Sequence, residues 1–167
     1  MFKRTAYISL VLVLLLSCKM NYSFSGINIS KDVQTFEVPY VSNNAPIVVP
    51  GINEDFRNQL IEKITRLTNL SEVRKNGDLV YEMEISEYGT QPIAASANQT
   101  ASMSRLTIGI KVSYTNNKNE DDDFSRTFSH YYDYSANQNL TDIQDAAHKE
   151  IFDRIIQDIF NETLAKW

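Results

Sequence analysis

The chain has 167 residues and one cysteine, 43% of its residues are hydrophobic, and this length fits one domain with its own core. Its formal net charge of −5 argues against a nucleic-acid-binding protein, because such proteins gain affinity from a basic surface that displaces phosphate counterions. One cysteine and two histidines exclude an internal disulfide and a multi-cysteine metal site, so we expect a binding or structural domain without metal or cofactor.

The first 17 residues have the layout of a bacterial export signal. Two basic residues near the start precede an unbroken apolar run from Leu10 to Leu16, which is too short for the roughly 20 residues that span a bilayer. The run ends in Leu15-Leu16-Ser17-Cys18, which resembles a bacterial lipobox. We therefore predict a lipoprotein signal peptide over 1–17 and lipidation of Cys18. The alternative is a free thiol inside an uncleaved anchor helix.

The region after the signal is predicted to tether a domain to the membrane. Residues 18–31 contain the lipidated cysteine and a polar, serine-rich tether, and residues 32–167 form the domain. Lys19 stands where an aspartate typically retains lipoproteins in the inner membrane. Since that aspartate is missing, we expect sorting to the outer membrane, where two or more acyl chains would give stable anchoring.

The first half of the domain is predicted to contain a strand, a helix and a second strand. Val33 to Val41 alternates apolar residues, and Pro39 favours an edge position for this strand. Asn53 is a predicted N-cap with acidic residues after it. The predicted apolar face of the helix consists of Ile52, Phe56, Leu60, Ile61, Ile64 and Leu67. After the turn at Asn76-Gly77, the alternation from Leu79 to Ile85 predicts a half-buried strand.

The second half is predicted to contain two strands and a helix. Leu106 to Tyr114 and Phe124 to Tyr134 both alternate apolar with polar residues, and a charged turn separates them. Thr141 and Gln144 form a predicted capping box at the start of a C-terminal helix. The order β-α-β-β-β-α predicts an α+β fold, a two-layer sandwich in which two helices cover one face of a four-stranded, mostly antiparallel sheet.

Candidate chemistry in the sequence is sparse. His130 lies inside the fourth predicted strand, where a partly buried, hydrogen-bonded role is favoured over catalysis, and His148 is expected to be a solvated helix residue. The acidic run Glu120 to Asp123 lacks the spacing and the glycine of a calcium loop, which favours a solvated hairpin tip. No hydrolase elbow, zinc-protease motif or phosphate loop is present in the sequence. We therefore predict that the protein is not an enzyme.

Four basic residues near the second hairpin form the candidate site for an anionic ligand. They are Arg105, Lys111, Lys118 and Arg126. Arg105 and Lys111 have the same parity and lie six residues apart, about 20 Å at about 3.3 Å per residue, so they would make separate contacts along an extended ligand. The alternative is ordinary solvent-facing charge that balances nearby carboxylates.

Several segments together resemble the LptE family of lipopolysaccharide-assembly lipoproteins, in the form found in Bacteroidetes. These segments are Tyr22-Ser23-Phe24-Ser25-Gly26, Asn43 to Pro50, Gly77 to Glu82 with Tyr88 and Pro92, Arg105 to Ile108, Phe124 to Ser129, and Asp158 to Trp167. The helix and strand order read from the residues agrees with the two-helix, four-strand sandwich of that family. One departure is the acidic hairpin tip, where the better-studied branch of the family carries basic residues.

The resemblance implies a non-enzymatic role in the outer membrane. Family members partner the β-barrel translocon LptD, plug its lumen, help it assemble and bind lipopolysaccharide. A second interpretation is a periplasmic lipoprotein adaptor or lipid-binding subunit of another envelope transport complex. A barrel partner would co-purify in stoichiometric amount, whereas an adaptor would recover an inner-membrane transporter.

Overall fold

The computed structural model of the protein describes residues 29–93 and 102–165. The predicted signal peptide 1–17, Cys18 and most of the predicted tether lie outside the described residues, as does Trp167. The elements in chain order are β1 Thr35–Glu37, β2 Ser42–Asn43, α1 Ile52–Leu67, β3 Ser71–Glu72, β4 Leu79–Ile93, β5 Met103–Asn116, a 3-10 turn Glu120–Asp122, β6 Phe124–Ser135 and α2 Leu140–Leu164.

The six strands form one mixed sheet. Its order is β3-β1-β4-β5-β6, with β2 also paired to β4. The pairs β4–β5 and β5–β6 are antiparallel, whereas β1 and β2 run parallel to β4, and β3 runs parallel to β1. The α+β class is confirmed, but the sheet is larger and more mixed than the predicted four-stranded, mostly antiparallel sheet. The parallel pairing arises because the chain crosses through α1 between β1 and β4.

The first predicted strand is wrong in extent and position. β1 spans three residues and lies between β3 and β4, so it is not an edge strand. Pro39 lies beyond the end of β1, and the side chain of Tyr40 is 69% exposed instead of buried with Phe36. A proline has no backbone N–H to donate to a neighbouring strand, which is consistent with β1 ending before this residue.

The helix starts differ from the predicted caps. α1 begins at Ile52 after Gly51, whose φ of 83° lies in the left-handed region that favours glycine. Asn53 lies inside the first turn, where its amide donates a hydrogen bond of 3.2 Å to the Val41 carbonyl. α2 begins at Leu140, so Thr141 lies inside the helix and the predicted capping box is wrong.

The core lies between the helices and one face of the sheet. Phe56 of α1 and Phe152 of α2 pack edge to face with ring centroids 5.0 Å apart, which joins the two helices above the sheet. The alternating residues of β4 and β5 are buried beneath them, as predicted. Tyr81 is fully buried, and its hydroxyl donates to Thr163 Oγ1 at 3.2 Å. Burial raises the pKa of Tyr81 well above its usual range.

Both histidines pack between the sheet and α2. His130 Nε2 lies 2.6 Å from Asp158 Oδ2, in agreement with the predicted partly buried, hydrogen-bonded role. His148 contradicts its predicted solvated position, because its Nε2 lies 3.0 Å from the Tyr88 hydroxyl and its ring stacks on Phe152. Burial lowers the pKa of His148, since desolvation disfavours the charged imidazolium.

The carboxylate of Asp78 joins three parts of the chain at one end of the sheet. Its Oδ2 accepts hydrogen bonds from the backbone N–H groups of Gln34 and Thr35 and from the Thr35 hydroxyl, each at 2.9 Å. Its Oδ1 lies 3.0 Å from Lys118 Nζ. The Gln34 N–H, Lys118 and Thr35 together hold the pKa of this carboxyl well below its usual range. We call these residues the Asp78 joint.

Replacing Asp78 with asparagine is expected to lower the free energy of unfolding at pH 7 by about 1–3 kcal/mol, because the charge and part of the acceptor capacity are lost. Since the folded pKa lies below the ordinary value of 3.8, the wild-type contribution is full above about pH 4 and is lost as the pH falls through the folded pKa. Urea unfolding measured between pH 7 and pH 2 should therefore show a shallower acid loss in the variant.

The control for this experiment is Asp121→Asn in the exposed turn before β6. Asp121 forms no hydrogen bond or ion pair with the other described residues, so the substitution should leave the free energy of unfolding at pH 7 unchanged. Equal acid loss in wild type and Asp78→Asn would contradict the assigned role of the Asp78 joint.

Candidate functional site

The face of β4, β5 and β6 that points away from the helices is a broad polar surface, which we call the open face. It is formed by Glu82, Glu84, Glu87, Gly89, Gln91, Arg105, Thr107, Gly109, Lys111, Ser113, Ser125, Thr127, Ser129, Tyr131 and Asp133. No helix within the described residues packs on this surface, because both helices cover the opposite face. Hydroxyl groups and glycines make up much of it, so another surface can approach the strands closely.

At the centre of the open face, a glycine leaves space for a side chain of the neighbouring strand. Gly109 lies opposite Glu87 of β4 and Ser129 of β6. A Cβ atom at this position would lie 3.0 Å from Glu87 Cβ and 3.2 Å from Glu87 Oε2. The absence of a side chain therefore lets Glu87 fold over β5, and the register shift between Ile85 and Glu87 places that side chain there.

Arg105 lies at one end of the open face and is already bound by protein groups. Its Nε and one terminal nitrogen donate to the two carboxylate oxygens of Asp133 at 2.7 and 2.8 Å. The guanidinium also lies 3.5 Å from the ring centroid of Tyr131. The paired guanidinium lowers the pKa of Asp133. An anionic ligand would have to compete with this carboxylate.

Lys111 lies near the middle of the open face and is the least constrained of the four predicted basic residues. It is exposed and lies opposite Glu84 of β4 and Thr127 of β6. Its amine forms no ion pair or hydrogen bond within residues 29–93 and 102–165. Of the four, this side chain can therefore meet an anion without first giving up a protein partner.

The other two predicted basic residues lie elsewhere. Lys118 belongs to the turn after β5 and is held by the Asp78 joint. Arg126 points to the helix side of β6, where it lies 3.1 Å from Glu162 of α2. The structure therefore brings only Arg105 and Lys111 onto one surface. Direct ligand binding by any of the four stays a prediction.

An exposed apolar patch was missed by the sequence interpretation. Tyr40, Ile47 and Val48 are 69%, 49% and 63% exposed and lie in the connection between β1 and α1. The sequence feature that could have revealed these exposed apolar residues is the lack of any charged residue from Val38 to Asn53. Three large apolar side chains exposed in one connection make this segment a candidate contact surface. We call this the apolar patch.

Metal-binding and membrane-spanning features were also searched in the described part of the chain. Residues 29–93 and 102–165 contain no group of three or more histidine, cysteine or acidic side chains placed to hold a metal ion. None of the helices in these ranges has the length and apolar character needed to cross a bilayer.

Comparison with known proteins identifies the family. The sequence profile of the LptE family, described as lipopolysaccharide-assembly, matches residues 33–163, from the start of the core to the end of α2. The protein therefore belongs to the LptE family of lipopolysaccharide-assembly lipoproteins, which are associated with the cell envelope. This confirms the family inferred from the sequence segments. No curated protein matches the chain.

Solved structures align with this chain at low sequence identity. A minor lipoprotein from Acinetobacter baumannii aligns with a TM-score of 0.50 and 12% identity, covering 78% of this chain and 92% of that one. A hypothetical protein from Chlamydia trachomatis aligns with a TM-score of 0.49 and 9% identity, covering 80% and 99%. Because the identity to the Acinetobacter baumannii lipoprotein is only 12%, this similarity is evidence for the fold alone.

Proposed function

We propose that the protein is an outer-membrane lipoprotein that partners an LptD-type β-barrel as plug and assembly factor and helps to deliver lipopolysaccharide to the outer leaflet. The observation that carries this proposal is the family match over residues 33–163, which includes β1, both helices and the long strands. Acylation of Cys18 would hold the domain at the membrane that contains the barrel.

The surfaces of the domain support docking inside or against a barrel. A wide barrel leaves a lumen that a plug domain can occupy, and its inner wall is polar. The open face is polar and carries small side chains, which suits contact with such a wall. The apolar patch supplies the apolar contact that the core of a stable protein interface usually contains. The domain needs no catalytic group for this role.

Purification of the acylated protein tests the partnership directly. We expect a stoichiometric outer-membrane β-barrel to co-purify, and we expect depletion of the protein to lower the amount of correctly assembled barrel. The combined change Tyr40→Ser, Ile47→Ser and Val48→Ser should weaken recovery of the barrel, whereas Leu67→Ser, an exposed apolar residue at the end of α1, is the matched control. Recovery of an inner-membrane transporter with unchanged barrel levels would favour the envelope-adaptor interpretation.

Lipopolysaccharide contact is expected to depend chiefly on Lys111. Replacing Arg105, Lys111, Lys118 and Arg126 together with serine should weaken lipopolysaccharide binding, because lipid A phosphates need cationic donors. The single change Lys111→Ser should cause most of the loss, at least about tenfold, since one charge-assisted hydrogen bond contributes about 1.5–3 kcal/mol. Binding to immobilised lipopolysaccharide at low and moderate salt measures the effect.

The matched control is Lys149→Ser, which removes an exposed lysine from α2, where it pairs with Asp153. This variant should bind lipopolysaccharide like the wild type. Exposed charges are screened over about 8 Å at physiological ionic strength, so the attraction at Lys111 has to be local. Unchanged binding by the fourfold variant at moderate salt would show that these basic residues only balance surface charge.

A further inference from the structure

The outer edge of β6 is long, regular and unpaired. β6 lies at one end of the sheet and has 12 residues, whereas the strand at the other end, β3, has two. Its inner edge pairs with β5 from Phe124 to Ser135 without a register shift. In an antiparallel ladder, about half of the residues of an edge strand direct both N–H and C=O away from the neighbour.

These outward groups have no partner in the described part of the chain. Among the described residues, no loop or side chain forms a hydrogen bond with the backbone of residues 124–134 outside the β5 ladder. At the end of the strand, the Ser135 carbonyl accepts from the Gln138 N–H at 2.9 Å. The edge therefore presents an array of donors and acceptors with the spacing of a β-strand.

The edge also lacks most of the features that usually keep such strands unpaired. Short length, proline, charged side chains and bulges protect edge strands in other proteins. The charged residues of β6, Arg126 and Asp133, are both paired within the domain. The sequence from Phe124 to Ser135 contains no proline, lysine or glycine, and it is rich in the aromatic and hydroxyl residues that favour strands. We expect a twelve-residue edge of this kind to pair with another strand in the functional complex.

We propose that β6 binds an extended segment of a partner protein as a further strand of the sheet, main chain to main chain. This inference rests on the proposed function, in which the partner is the outer-membrane barrel protein. Strand addition of this type takes its affinity from backbone hydrogen bonds and its selectivity from alternate side chains. The added strand would thereby fix which residues of the domain lie opposite which residues of its partner. The apolar patch alone cannot fix this pairing.

Net charge favours a different protein over a second copy of this chain. Asp158 and Glu162 of α2 lie above β6, where they contact His130 and Arg126, so the charges next to the edge are already paired. Two copies paired through β6 would bring together two chains that each carry a formal charge of −5. A neutral or basic segment of another protein meets no such repulsion.

Residue-resolved amide hydrogen exchange tests this inference on the full acylated protein. In the free protein, alternate amides of β6 should exchange fast, because only the inward ones bond to β5. In the complex with the co-purified barrel, the fast amides should slow by at least tenfold, and amides of β5 should change little. A barrel complex in which the outward β6 amides still exchange fast would overturn the inference and leave the proposed function standing.

A variant pair gives an independent measurement. Of the neighbours Ser129 and His130, one directs its N–H outward, and the exchange pattern of the free protein identifies it. Proline at that residue removes an outward donor without breaking the β5 ladder, whereas alanine at the same residue keeps the donor. We expect the proline variant to lower barrel recovery at least tenfold relative to the alanine variant. Equal recovery, or a free protein that is already a β6-paired dimer, would overturn the inference.

Discussion

Replacing Phe152 with alanine is expected to remove about 3–5 kcal/mol of the free energy of unfolding, the usual effect of emptying a buried phenylalanine site. Phe152 is 1% exposed, packs edge to face on Phe56 and stacks with His148. It therefore joins α2 to α1 and supports His148, which contacts Tyr88 of β4, and the smaller side chain leaves a cavity at this junction. Urea unfolding followed by circular dichroism at pH 7 measures the loss.

Leu67→Ala is the matched control for this prediction. Leu67 is also a large apolar residue of a helix, but it is 42% exposed at the end of α1. Its replacement should lower the free energy of unfolding by about 1 kcal/mol or less, because little apolar area leaves the core. If the Phe152→Ala variant loses no more than the Leu67→Ala variant, the two helices do not depend on the aromatic junction.

Replacing Cys18 with alanine is expected to abolish maturation completely. The lipoprotein signal peptidase acts only after the cysteine sulfur is acylated, so the variant should accumulate as a precursor that retains residues 1–17. Intact-protein mass spectrometry distinguishes this precursor from the acylated mature chain. Ser17→Ala keeps a small residue before the cysteine and should still be processed. An intact Met1 together with a free thiol in the wild-type protein would contradict the lipoprotein prediction.

The long elements of the fold could be predicted because their periodicity is strong. β5 buries every second residue from Leu106 to Asn116, and β6 alternates covered with exposed residues from Phe128 to Tyr134. The predicted strand boundaries differ from the observed ones by few residues. β2 and β3 have two residues each, which is too short for any alternation to be read. The mixed topology depends on pairing across α1, for which the sequence carries no local signal.

The second half of β4 shows how a single irregularity defeats periodicity. Buried residues run Leu79, Tyr81, Met83 and Ile85, and then the parity changes so that Tyr88 is buried. The register shift after Ile85 is the physical cause, because one extra residue reverses which of the following side chains point into the core. The charged neighbours Lys149 and Glu150 predict a solvated position for His148, but its partner Tyr88 lies 60 residues away and beyond this irregularity.

The candidate site could be predicted only in part. Parity correctly places Arg105 and Lys111 on one face of β5, because both positions lie in an uninterrupted strand. The carboxylates that bind Arg105 and Arg126 come from β6 and α2, and such pairings depend on packing that residue spacing does not encode. The free edge of β6 also requires knowledge of strand order, so it emerges only from the structure.

The Asp78 joint has a consequence for the order in which the chain folds. The pairs β4–β5 and β5–β6 connect sequence neighbours, whereas β1 reaches β4 and Asp78 across 43 residues, with a larger loop-closure cost. We therefore expect β1 to dock last, onto a meander that already holds α2. The segment beside the predicted tether is synthesised first, but we expect it to become ordered last. The predicted acylation of Cys18 could therefore take place while the adjoining backbone is still accessible to enzymes.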